Sequence, residues 1–360
     1  MSRRTFVRLA ALVVSAGIAA VTLLHPAIGM GLGMIAIVYA VIVLRPAEPT
    51  STSGPDLQAP RADEPLEPNR ISGVEAFSFP CPVCGGIFRQ HRPEWLFRCD
   101  GCRLLASNLL PTLNRGNGSL DESARYDALH DLRHANFETI LDAIEHCGLP
   151  RGARLLDVGC GHGWLLEQAA LRGLHPVGVE PDVAIADIAR TRCTSVLVGV
   201  FPDVLDVRDS FDVLTFNDVL EHLPDVRAAI AASKAHLKPR GLLVLNLPLA
   251  TGIFYRVATL LDRIGYRGPL VRLWQVDFPS PHLFYFTAPQ LAQIAANLGL
   301  REVVRTSLPS LDLRGLWRRL RYDRSRGLLS CLLMWPVLAA LMPILRALPN
   351  DIGLQVFTSD

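Results

Sequence analysis

From Ala153 onward short apolar runs alternate with stretches of helical period, and the first turn between them is the glycine-rich "DVGCGHG", Asp157 to Gly163. "ARLLDV" (153–158) reads as a buried strand and "WLLEQAALRG" as a helix ending at Gly173. "HPVGVE" (175–180), "SVLVG" (195–199), "FDVLTFN" (211–217) and "GLLVLNL" (241–247) read as further strands. Helices are expected over 182–192 and over "DVRAAIAASKAHLK", the latter stopped by "PRG". "REVVRTSL" and "DIGLQVFTSD" read as a sixth and a seventh strand. Upstream, Leu129, Leu132, Phe137, Ile140, Leu141 and Ile144 recur at helical spacing. Such alternation builds a parallel sheet with helices on both faces.

In such a sheet the loop holding Gly159, Gly161 and Gly163 lies at the carboxyl end of its first strand, where ligands bind. Glycines let the backbone turn sharply and approach a ligand. The helix that follows offers free N–H donors to a carboxylate or phosphate. Glu180 ends the second strand, placed to accept both hydroxyls of a ribose. The ligand implied is a nucleoside with a polar appendage. Dinucleotide folds also pair a glycine loop with a downstream acid, but Gly163 comes one residue early for G-x-G-x-x-G.

Upstream, Cys81, Cys84, Cys99 and Cys102 form a C-x2-C-x14-C-x2-C array. Two such knuckles complete a tetrahedron around a structural zinc. Two disulfides are the alternative, disfavoured in a cytoplasmic setting. Before the knuckles, Pro46 to Glu75 holds six prolines and six acids and reads as a linker. Leu9 to Leu44 carries no Asp, Glu, Lys or Arg, and "HPAIG" breaks it in the middle. Its halves, at about 1.5 Å per residue, span roughly 24–27 Å each, which suits a transmembrane helical hairpin. Its arginine-bearing flanks then lie in the cytoplasm. One long tilted span and a signal peptide are the alternatives. Near the C-terminus, an arginine-rich approach (314–326) leads into apolar Leu328–Leu348. That pairing fits contact with an anionic membrane surface, or else a buried helical pair. The net charge of +2 names no partner, and no nucleic-acid partner is expected.

Five pieces taken in order, "LLDVGCGHG", "VGVEPD", "FDVLTFNDVLEHLPD", "LKPRGLLVLNLP" and "PHLFYFTAPQLAQIAANLGL", resemble the class I S-adenosylmethionine-dependent methyltransferases. The subgroup is similar to bacterial enzymes with an N-terminal zinc ribbon and to the O-methyltransferases of ubiquinone synthesis. The resemblance implies a Rossmann-like α/β fold, a doubly wound seven-stranded sheet with its last strand antiparallel. Together with the hydropathy, composition and cysteine spacing above, it divides the chain into a transmembrane hairpin (1–45), a linker (46–75), a zinc ribbon (76–115) and a methyltransferase domain (120–360). Residues 311–350 form a membrane-associating insertion in that domain. Asp157 and the backbone of Gly159, Gly161 and Gly163 would hold the methionine end of S-adenosylmethionine, and Glu180 the ribose. Asp203, or packing by Phe201, would meet the adenine, and Asn217 would face the sulfonium.

Asp218, Glu221 and His222 match a D/E-x-x-E-H pattern that resembles a divalent metal site of the quinone enzymes. The same residues also fit an ordinary loop without metal. A hydroxyl acceptor must lose its proton, which suits His222 or His282 as base. The aromatic stretch 250–286 reads as a cover suited to an apolar or ring-bearing acceptor, or as core. The expectation is thus a membrane-anchored enzyme whose domain faces the cytoplasm. It would methylate a lipid-linked, glycan or quinone-like hydroxyl. A non-catalytic scaffold and a nucleotide-dependent oxidoreductase are the alternatives.

Overall fold

A computed structural model describes residues 79–110, 122–276, 278–313, 315–321 and 328–359. The expected transmembrane hairpin and linker lie outside the described residues. Three short strands come first: β1 (Phe88–Gln90), β2 (Leu96–Cys99) and β3 (Leu105–Ser107). A long helix, α1 (Glu122–His146), leads into β4 (Arg154–Val158), α2 (Trp164–Leu171), β5 (His175–Glu180), α3 (Val183–Arg190) and β6 (Val196–Val198). Next come β7 (Phe211–Asn217), α4 (Val226–His236) and β8 (Leu237–Pro248). A helical excursion, α5 (Ile253–Arg263) and α6 (Gly268–Leu273), precedes the two-residue β9 (Phe284–Tyr285). The chain closes with α7 (Ala288–Asn297), β10 (Leu300–Leu308), α8 (Leu316–Arg321), α9 (Leu328–Ala347) and β11 (Ile352–Ser359).

Seven strands form one sheet in the order β10-β11-β8-β7-β4-β5-β6. β4 to β8 run parallel, and β11 alone runs against its neighbours β8 and β10. The apolar runs follow from two-sided burial. Leu156, Val158, Leu243, Leu245 and Leu247 face one core with Ile230 of α4 and Ile294 of α7. Leu155, Leu242 and Val244 face the other with Ile140 of α1, Leu165 of α2 and Ala186 of α3. Burying a Leu or Ile side chain contributes about 1.5–3 kcal/mol, so both faces hold the sheet.

The expected helix through Lys238 ends earlier, at His236. Pairing wins over helical propensity there: Leu237 enters β8 opposite Phe211, and Lys238 bonds Asp212 at 2.7 Å. The seventh strand returns as expected. The insertion before it is a helical pair: Leu316 and Leu320 of α8 pack on Cys331, Met334 and Met342 of α9. Its other side stays open, with Leu328, Leu329, Leu332, Leu333 and Trp335 all exposed. Among the described residues no helix is long and apolar enough to cross a membrane. Both ends of the α8–α9 pair attach to the sheet through β10 and β11.

The three N-terminal strands make a second sheet, β1-β2-β3-β9, whose fourth strand comes from the chain after α6.

Candidate functional site

β4 delivers Asp157 to the carboxyl edge of the sheet, between β5 and β7. Its Oδ1 accepts from Thr215 Oγ1 at 2.6 Å and Asn217 Nδ2 at 2.8 Å. Asp157 does not cap α2, whose first turn follows Gly163 with no side-chain cap. Burial pushes the Asp157 carboxyl up to about 6, against the pull of the Thr215 and Asn217 hydrogen bonds. A buried carboxylate held this way is poised for a cationic partner.

The loop after Asp157 is pinned to β5, since Gly159 N and Cys160 N both donate to Val179 O at 2.8 and 3.0 Å. Gly159 sits at φ 68°, and a Cβ there would meet Val219 Cγ2 at 2.6 Å. Only glycine fits. Gly161 is also left-handed but faces open space, and its N–H donates to Glu180 Oε2 at 2.9 Å. Glu180 Oε1 accepts from Asp182 N at 3.1 Å. Burial raises the Glu180 carboxyl, opposed by those two N–H bonds. Asp157, the glycines, Glu180 and Asn217 therefore converge on one edge. Asp203 does not: it is exposed in the turn after β6. Phe201 packs edge-on against Phe216, with ring centroids 5.7 Å apart.

A second cluster borders the first. Leu220–His222 form a single 3-10 turn after β7. Glu221 is fully buried, and among the described residues neither of its carboxylate oxygens has a hydrogen-bond partner. His222 Nε2 and His282 Nε2 each lie 3.9 Å from Glu221 Oε1. His222 Nδ1 donates to Pro281 O at 2.9 Å. The Gln275 amide donates to His282 Nε2 at 2.9 Å, and His282 Nδ1 is unpaired. Burial and then Asp218's charge raise the Glu221 carboxyl, while burial and then His222 lower His282.

Two expectations change here. Asp218 does not join Glu221 and His222 in the cluster, contrary to the D/E-x-x-E-H pattern. Its φ is 53°, and its carboxylate meets Arg133 of α1 at 3.1 Å. The third member of the cluster is His282, and the three ligating atoms lie within 4.8 Å of one another. His282 is only 4% exposed, whereas the His222 side chain is 16% exposed. Arg133 itself carried no motif in the sequence. It enters the site because α1 crosses the end of β7.

A buried carboxylate with two unpaired oxygens is costly unless it gains a proton or a cation. Glu221, His222 and His282 offer one carboxylate and two imidazoles, a donor set suited to a divalent transition metal.

The four cysteines also converge. Cys81 Sγ lies 3.4 Å from Cys102 Sγ, and Cys84 Sγ 3.5 Å from Cys99 Sγ. All four lie within 4.8 Å of one another. Those separations exceed an S–S bond and match thiolates around one ion. A Cβ at Gly101 would stand 3.0 Å from Cys84 Sγ, so the loop wraps closely on the sulfurs.

The methyltransferase-domain family model matches residues 129–306. The ubiquinone biosynthesis O-methyltransferase of Hahella chejuensis is 35% identical over 126 residues, covering 33% of this chain and 51% of its own. That of Xanthomonas axonopodis pv. citri is 36% identical over 125 residues, again 51% of its own length. The chain thus spans about half the length of these curated relatives. Among solved structures, a putative sarcosine dimethylglycine methyltransferase from Galdieria sulphuraria aligns over 67% of this chain and 91% of its own, at 16% identity and a TM-score of 0.44. Residues 129–306, just under half of the chain, are thus matched as a methyltransferase domain, similar to those of the class I S-adenosylmethionine-dependent enzymes.

Proposed function

We propose that the protein methylates a hydroxyl of a quinone-like, lipid-linked or glycan acceptor at the cytoplasmic face of a membrane. The observation that carries this reading is the adjacency of two clusters. Asp157, the glycine loop and Glu180 form one, and Glu221, His222 and His282 form the other. S-adenosylmethionine, when bound, supplies a methyl group already activated for in-line displacement. Asp157 receives the ammonium of its methionine end and Glu180 the ribose hydroxyls, exchanging the Gly161 and Asp182 N–H contacts for ligand. Asn217 orients Asp157 through its 2.8 Å bond. His222 takes the acceptor proton at Nε2, and its Nδ1–H is held by Pro281 O. The excursion between β8 and β9 covers this side and excludes water. Cys81, Cys84, Cys99 and Cys102 would hold zinc, closed to substrate because all four positions are filled. If a divalent cation were held by Glu221, His222 and His282 it would occupy the His222 Nε2 lone pair, and would then lower the pKa of the acceptor hydroxyl in place of the histidine base.

Membrane proximity is supported by the apolar run 9–44 and by the open face of α9. Exposed Arg318 and Arg321 of α8 lie beside that face, suited to anionic headgroups. The test uses a deletion strain given methyl-labelled methionine, with lipid, quinone and glycan extracts compared to wild type by mass. The expected result is one species lighter by a methylene, restored by the wild-type gene and not by a Glu180→Ala gene. No lost species, or restoration by Glu180→Ala, would overturn the proposal.

A further inference from the structure

The cysteine-bound strands are not a separate bead on the domain. β3 pairs antiparallel with β9, Leu105 opposite Tyr285 and Ala106 opposite Phe284. Immediately before β9, Ser107 Oγ donates to His282 O at 2.6 Å, and Ser107 N donates to Leu283 O at 2.8 Å. Leu283 N in turn donates to Glu221 O at 2.8 Å. An unbroken line of hydrogen bonds thus runs from β3, through the backbone of His282 and Leu283, to the 3-10 turn carrying Glu221 and His222.

Three further contacts tie the same parts. Gln290, which completes the N-terminal cap of α7, donates to Cys102 O at 2.9 Å. Trp95, just before β2, packs edge-on against Trp274 at 5.6 Å, and Trp274 O accepts from His282 N at 3.1 Å. Cys81, Cys99, Phe97 and Leu104 share one apolar core with Leu283, Phe284 and Phe286, a core that also takes in Leu156 and Val158 of β4. By contrast, the hydrogen bonds described above for Asp157 and the glycine loop come from β5, β7 and Glu180.

Strands of three and four residues cannot hold themselves together. In small cysteine-ligated modules the bound metal supplies the folding energy. We propose that metal bound by the four cysteines fixes the acceptor side of the site, and that Ser107 is the positioning residue that carries this order to His282. The term "acceptor side" rests on the function proposed above; the coupling itself does not.

Hydrogen exchange of the detergent-solubilised full chain tests it, with zinc loaded and after chelation. Removal of metal should speed exchange in residues 281–286 and 220–222 by about tenfold or more, leaving 155–163 within about twofold. Affinity for S-adenosylhomocysteine should also stay within about twofold, and zinc should restore protection where magnesium does not. Ser107→Ala should loosen 281–286 at unchanged zinc content, and Ser107→Thr, which keeps the hydroxyl, should restore it. Unchanged exchange at 281–286 after metal loss, equal opening of 155–163, or absence of bound zinc would each overturn the proposal. Failure to bind S-adenosylhomocysteine, with the coupling intact, would instead sink the methyltransferase function.

Discussion

Replacing Asp157 with asparagine should stabilise the empty protein while disabling its cofactor site. Asparagine is nearly isosteric, and its Oδ1 can still accept from Thr215 and Asn217. In the wild type, the native carboxyl sits at about 6, against 3.8 for an ordinary aspartate. The native state therefore holds this proton more tightly than the unfolded chain. That contribution is complete below 3.8 and is lost as pH rises through about 6. At pH 8 the ionised buried carboxylate costs on the order of 3 kcal/mol. The substitution removes that cost but buries an amide, so a net gain of about 1–3 kcal/mol is expected at pH 8, smaller by about 1.4 kcal/mol at pH 5. Urea denaturation at the two pH values reads this difference. Calorimetry on the same samples should show S-adenosylmethionine bound about ten- to a hundredfold more weakly, as for loss of hydrogen bonds to a charged group. An Asp157→Asn protein less stable than wild type at pH 8, or a pH-independent difference, would refute the electrostatic account.

Glu180→Gln keeps an acceptor for the Gly161 N–H but loses the charge, and should weaken S-adenosylmethionine by about 1.5–3 kcal/mol by calorimetry; unchanged affinity would remove Glu180 from the ribose site. Gly159→Ala places a Cβ 2.6 Å from Val219 Cγ2 at a left-handed φ, and a thermal melt should show about 1–3 kcal/mol of lost stability. Reporters fused after Asp360 and near Gly54 should both give a cytoplasmic signal, because β11 must return to the sheet; an external C-terminal signal would contradict the placement of α9 at the membrane surface.

Local chemistry made the convergence of Asp157, the glycines and Glu180 on one sheet edge readable in the sequence. Asp157, the glycines and Glu180 lie within one strand–turn–helix–strand unit, and their spacing follows from chain geometry. β11 was legible for a similar reason: "LQVF" is a strand-forming run, which returns after a long insertion to pair between β8 and β10. The cluster of Glu221, His222 and His282 was not legible in the same way. His282 lies 60 residues beyond His222 in the chain and reaches Glu221 only through tertiary packing. Asp218 matched a motif, yet Arg133 captures it from a helix 85 residues earlier. β9 is two residues long, and no periodicity announces its pairing with β3. The helix ending at His236 misled for the opposite reason, since good helix formers gave way to a strand pair at Leu237.

The central claim is that the edge formed by Asp157, the glycine loop and Glu180 binds an adenosyl sulfonium. A calorimetric titration of the purified protein with S-adenosylmethionine, S-adenosylhomocysteine and NAD tests it most directly. Saturable one-to-one binding of both sulfur compounds, much weaker NAD binding, and loss of the signal in Glu180→Ala are the predicted results. Tighter binding of NAD, or no binding of S-adenosylhomocysteine by the folded protein, would contradict it.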